Sequence, residues 1–246
     1  MPAAASAVGR LGEFPRLGVG VHLNACQGPP LSNLGRDVLA GGRAAMNFTA
    51  TGLIRRCILR RYETVLAVED EFEAQIRWCL DHGLRPTHAD THRHLHAWPP
   101  IFRVVVGLCR RYHIPFIRRH RDFLPAGMAP SAPAKQRRLS KALNLFGRWN
   151  RRQAHGLLAT EGTIGVAFTG RANEAFLLAA LASLPEGVTE LMVHPGYPDD
   201  LDPGQTRLLE SRRVEMEALC STRVKELIEQ RGIVLTHYGK LRPEND

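Results

Sequence analysis

The sequence has no Cys-x-x-C pair. It also has no apolar run near the roughly 18–20 residues that a membrane span requires. Its five cysteines, Cys26, Cys57, Cys79, Cys109 and Cys220, are odd in number and widely spaced. That argues against a disulfide framework and against a thiolate zinc site, so reduced, mostly buried thiols are expected. The opening residues, MPAAASAVGRLGEF, lack a continuous apolar stretch of signal-peptide length. A cytoplasmic protein, peripheral to a membrane at most, is the expectation. Acidic residues are short, 24 against 33 basic ones, for a net charge of +9. A basic balance points to nucleic acid, an anionic membrane or an acidic substrate without choosing among them. Nucleic acid is not expected. The basic stretch 118–152 offers only Phe123, Phe146 and Trp149 for base stacking.

What is present is an ordinary globular composition over 246 residues, 44% hydrophobic and 23% charged. That length suits one large domain or two small ones at about 100–200 residues per domain. Strand-like segments alternate with helical ones. LGVGVHL at 17–23, 86–92, 114–117, 163–169, 189–194 and 233–236 read as strands. Helices are expected over about 62–82, 99–112, 172–184, 206–219 and 222–231. Gln27–Gly42 reads as a loop. The alternation predicts an α/β fold with a parallel sheet, and the length favours a barrel. The stretch 118–158 interrupts the pattern as a basic helical insertion. Within it, Leu139, Leu143, Phe146 and Trp149 recur at helical spacing between Arg and Lys.

The densest chemistry is Thr87-His88-Ala89-Asp90-Thr91-His92-Arg93-His94-Leu95-His96, which holds four of the eleven histidines. In an extended strand, His88, Asp90, His92, His94 and His96 share one face. Imidazoles and a carboxylate suit a divalent metal or catalysis. The bland alternative is a solvated strand end. His22 closes the first strand opposite Val21 and Leu23, either as a functional residue at a strand's C-terminal end or as a satisfied core histidine. His194 closes a later strand before Pro195-Gly196, either functional or a turn cap. Tyr197, Asp199 and Asp200 follow, as pocket lining or as solvated loop residues. A phosphoesterase would need more carboxylate ligands and a backbone phosphate nest, and the sequence offers neither.

GVGVHLNACQGPP, RPTHADTHRHLHAWPPIF and TELMVHPGYPD, in that order, resemble the YdjC-like carbohydrate deacetylases, the ChbG/HpnK family. The resemblance implies a TIM-like deacetylase barrel with one divalent metal, Mg most readily, Zn or Mn otherwise. It implies metal ligands at His22 and His92, and His194 as general acid or as a hydrogen-bond partner of the acetyl group. Asp90 would orient a ligand imidazole, and His94, His96 and Tyr197 would line the substrate. The implied substrate is an N-acetylated amino sugar or glycolipid. LASLPEGVTELMVHPG is more similar to the hopanoid-associated branch. Family members open with an Asp-Asp strand that supplies the third ligand and the base, whereas this sequence has no Asp before His22. The resemblance therefore implies a chain shortened by its first βαβ unit, with the third ligand absent, and a poor deacetylase. The alternatives carried forward are another metallohydrolase, such as a phosphoesterase, or an inactive remnant acting as a binding module. A homodimer and peripheral membrane contact through the basic helix are further expectations.

Overall fold

The computed structural model describes residues 4–199, 201, 204 and 206–241. They divide into two compact units. The first unit comprises 4–118, 149–158 and 236–241, and the second comprises 119–148 and 159–235.

The first unit begins with helix α1 (Ala4–Arg10) and strand β1 (Val21–Leu23). Strand β2 (Gln27–Gly28), inside what reads as loop in the sequence, forms an antiparallel pair with β3 (Met46–Asn47) beyond that loop. Helices α2 (Ala50–Leu59) and α3 (Arg61–Asp81) follow, then β4 (His88–Thr91), α4 (Pro99–Arg111) and β5 (Phe116–Ile117). The strands β1, β4 and β5 make a parallel sheet in the order β1-β4-β5. α3 buries Thr64, Ala67, Val68, Glu71, Phe72 and Ile76, a spacing of three and four that turns one face to the core. α4 starts on Pro99–Pro100, where a missing N–H costs nothing, and buries Ile101, Val105 and Leu108. Val21 and Leu23 join this core, while His22 lies on the opposite face of β1.

The second unit holds β6 (Asp122–Phe123), the basic helix α5 (Ala134–Asn150) up to Arg148, β7 (Gly162–Ile164), α6 (Glu174–Ala182), β8 (Thr189–Leu191), α7 (Glu210–Leu219) and α8 (Thr222–Gln230). Its parallel sheet runs β6-β7-β8. Ile164, Phe168, Phe176, Leu177 and Val224 centre its core. The expected strand over 163–169 stops at Ile164. Gly165 turns at φ 121, and its missing side chain leaves room for the Met192 carbonyl, 2.3 Å from where a Cβ would stand. No strand forms over 233–236. Val234 and Leu235 are exposed, so pairing there would gain no burial. Among the described residues the strands pair as these two sheets and the β2/β3 pair, with no closed barrel.

No helix among the described residues is long and apolar enough to cross a membrane. All five cysteines are free. Cys26, Cys57 and Cys109 are buried, and burial pushes the Cys109 thiol up to about 12. Cys220 is exposed.

Gly20 illustrates how tightly β1 meets its neighbour. A Cβ there would stand 2.2 Å from the His88 ring, which is itself stacked on Tyr238 with centroids 4.2 Å apart. Gly20→Ala should therefore displace the stacked pair and cost about 1–3 kcal/mol. Urea denaturation measures this, and an unchanged midpoint would refute the close approach.

Candidate functional site

The site in the first unit is assembled by strand register. His22 on β1 lies directly across from Asp90 on β4. Asp90 Oδ1 is 2.7 Å from His22 Nδ1. Arg118 follows β5, its backbone N–H donating to the Ala89 carbonyl at 3.1 Å, and its Nη1 donates to Asp90 Oδ2. Burial pushes the Asp90 carboxyl up. The His22 hydrogen bond and the Arg118 guanidinium outweigh that and hold it well below the usual carboxylate range. Asp90 is therefore an anion at neutral pH and can only accept. The His22 proton must sit on Nδ1, which leaves Nε2 with its lone pair when the ring is neutral. The His22 side chain is 54% exposed. This is the carboxylate–histidine pairing that orients metal-binding imidazoles.

His92 follows the end of β4. Thr91 is the last strand residue, and His92–Ala97 forms a tight turn. Within it Arg93 (φ 56) and His94 (φ 55) are left-handed, at a cost of roughly 1–3 kcal/mol each for residues with a Cβ. Arg93 Nη1 donates to the Phe48 carbonyl at 2.8 Å. The turn ends the alternation assumed from sequence, so His94 and His96 leave the face that carries Asp90. His96 is fully buried. Its Nε2 donates to the Arg118 carbonyl at 3.2 Å, and its Nδ1 is 2.6 Å from the Thr91 hydroxyl. His96, expected from sequence to line the substrate, holds the turn from inside. His94 is half-buried.

A hydrogen-bond chain reaches His92 from the other side. Glu71, buried on α3, accepts the Leu31 and Ser32 backbone N–H groups at 3.0 and 2.9 Å, and Gln75 Nε2 at 2.7 Å. Gln75 also donates to the Asn24 carbonyl at 2.6 Å and accepts the Asn24 N–H at 2.8 Å. Asn24 in turn donates to the Gln27 carbonyl at 2.8 Å. The Gln27 side-chain oxygen is 2.9 Å from His92 Nε2. Thus a buried carboxylate on a helix fixes the loop that steadies His92.

The His22 and His92 rings meet edge to face, with centroids 5.7 Å apart. That separation can bring one nitrogen of each ring within the roughly 3–4 Å that two ligands of one metal require. The Asp90-oriented His22 suits a divalent ion, so the pair fits two coordination positions. Among the described residues no group of three or more His, Cys, Asp or Glu side chains could hold a metal. A third protein ligand is not supplied by them.

His194 belongs to the second unit, three residues past β8. Its backbone N–H donates to Glu215 Oε2 at 2.5 Å. Glu215 is buried, which raises its carboxyl above the ordinary range against the pull of the His194, Ala172 and Gly170 N–H groups. Tyr197 is 70% exposed, Asp199 pairs with Arg213 at 3.2 Å, and Asp200 lies outside the described residues. The apolar stripe expected on the basic helix splits: Leu143 is buried, while Leu139 and Trp149 are exposed. Ser140 and Asn144 on that helix bond to Asp122, whose carboxyl burial raises.

The chain is thus of the parallel α/β class, with two histidines at strand ends, one of them oriented by a carboxylate. Its residues 1–230 match the family described as YdjC-like protein, and the chain belongs to that family. It is 29% identical to a carbohydrate deacetylase of Brevibacillus brevis over 96% of this chain and 82% of the relative. It is 26% identical to a carbohydrate deacetylase of Halalkalibacterium halodurans over 92% and 81%. A crystal structure from Enterococcus faecalis, described as a cellobiose-phosphate cleavage protein, has the same fold at a TM-score of 0.71. There the identity is 22%, over 96% of this chain and 82% of that one.

Burial holds His96 neutral down to about 3, whereas an unfolded histidine protonates near 6.5. Between those values the unfolded state binds the extra proton, so stability falls as pH falls. From pH 7 to pH 5 the loss should be about 2 kcal/mol. Urea denaturation of the wild type and His96→Gln at both pH values checks this. An equal loss in both would refute it.

Proposed function

We propose that this chain is a carbohydrate deacetylase that hydrolyses the N-acetyl group of an amino sugar or sugar-linked lipid, with a divalent cation held by His22 and His92. The observation that carries the reading is the His22–Asp90–Arg118 arrangement beside His92. Relatives described as carbohydrate deacetylases across most of the chain support it. When bound, a cation such as Mg, or Zn or Mn, supplies Lewis acidity toward an amide carbonyl.

The chain's own residues do the rest. Arg118 keeps Asp90 ionised, and Asp90 holds the His22 proton on Nδ1, so Nε2 stays available. Gln27 steadies the His92 ring through its Nε2. The leaving amine needs a proton, and His194, pinned through its backbone by Glu215, is the assigned general acid. His94 and Tyr197 are assigned to the substrate side. A substrate of the hopanoid-associated branch, a cytoplasmic location, a homodimer and peripheral membrane contact through α5 belong to the same proposal. On α5, Leu145 and Trp149 stand exposed with Lys141 and Arg148.

The test pairs calorimetric titration of the cation with acetate release from N-acetylated glucosamine oligomers. His22→Ala and His92→Ala should abolish cation binding, and Asp90→Asn should weaken it about 10–100-fold. His194→Ala should lower turnover about 10²–10⁴-fold with cation affinity unchanged. Acetate release that survives in the His22→Ala/His92→Ala double variant would overturn the reading.

A further inference from the structure

Helices α2 and α3 meet at an elbow whose outer surface the core does not use. On the inside, α2 buries Leu53 and Cys57, and α3 buries Thr64, Ala67 and Val68. Arg60 breaks the helical path between them at φ −128 and ψ 56. Ile58, Leu59 and Tyr62 are left facing water, 65%, 71% and 81% exposed. Arg55, Arg60 and Arg61 are exposed around them, and Arg56 is half-buried. Residues 55–63 thus carry four arginines against one acid, Glu63. Glu63 is engaged by Arg60 at 3.7 Å, and Arg56 lies over the Phe48 ring at 5.8 Å.

We propose that this elbow is a peripheral docking surface for an anionic lipid bilayer. Ile58, Leu59 and Tyr62 enter the headgroup layer, and the arginines meet lipid phosphates. Charge selects the occupant. Guanidinium groups match phosphate in geometry and charge, and tyrosine suits a boundary that is apolar on one side and wet on the other. A second copy fits poorly. Two-fold pairing sets a patch against itself, so four arginines would face four arginines with one engaged glutamate per copy. The net charge of +9 adds long-range attraction to an anionic surface.

The elbow is also well placed. Arg93 Nη1 bonds the Phe48 carbonyl, two residues before α2 begins. The ten residues of α2 then carry the chain about 15 Å to the elbow. Docking there would hold the histidine pair about one short helix from the lipid surface. The inference rests on the elbow alone and stands whether or not the deacetylase reading does.

The experiment is co-sedimentation of the full chain with vesicles of phosphatidylcholine and of phosphatidylcholine mixed with phosphatidylglycerol. Binding is expected only to the anionic vesicles, falling with added salt. Leu59→Glu with Tyr62→Ser should weaken it more than Leu145→Glu with Trp149→Glu on α5 does. Arg55→Gln with Arg61→Gln should weaken it about thirtyfold, for two basic residues lost at the surface. These positions are exposed, so the thermal melt should not move. No binding to anionic vesicles would overturn the proposal. So would binding that survives the elbow substitutions and is lost only through Leu145→Glu with Trp149→Glu on α5. A dimer in light scattering that Leu59→Glu dissolves would overturn it in favour of a second copy.

Discussion

One buried negative charge, on Asp90, organises the first unit. A carboxylate withdrawn from water loses several kcal/mol of solvation unless partners replace it. Both Asp90 oxygens are used, one by His22 on β1 and the other by Arg118 just past β5. The partners come from the two strands that flank β4, so the charge is satisfied only when all three strands pair in the observed register. A slip of one residue would turn Asp90 to the face occupied by Ala89, inside the apolar core with Leu23. Charge and register therefore enforce each other. The same pairing fixes the proton of His22 on Nδ1, so the constraint that secures the sheet also sets the tautomer of the ring.

Three other buried carboxylates act on loops instead of strands. Glu71 gathers the backbone of Leu31 and Ser32, Asp122 takes the Val166 and Ala167 N–H groups at 3.2 and 3.1 Å, and Glu215 takes that of His194. Irregular backbone leaves N–H groups without ladder or helix partners, and burying them unpaired would cost about 1–3 kcal/mol each. A single carboxylate collects several at once.

Much of this was legible in the sequence. The apolar spacing of Val68, Phe72 and Ile76 marks α3 to within a residue or two, and Pro99–Pro100 marks the start of α4. His22, Asp90 and His92 stand out because they are polar residues near the ends of short strand-like segments. Arg118 did not stand out. It sits in a run of basic residues that reads as a solvated surface, and only strand order brings it to Asp90. Glu71 was hidden because an acid one position from a buried stripe looks like helix surface until the loop it holds is seen. His96 was misplaced because strict alternation was carried past Thr91, where the backbone stops being a strand.

That stop is itself instructive. Two consecutive left-handed residues with side chains are costly, and glycine at 93 or 94 would take the same turn with no steric penalty. Glycine at 93 would also delete the bond from Arg93 to Phe48, which ties the turn to the start of α2. Inside the turn, the Thr91 hydroxyl meets both the backbone and the ring of His96. The strain is thus over-determined from both sides, as strained backbone must be in order to persist. The strand ends at Thr91, and His92, the next residue, stands edge-on to His22 before the left-handed residues begin. The turn takes His94 and His96 off the face that carries Asp90, which leaves His22 and His92 as the pair that meets there.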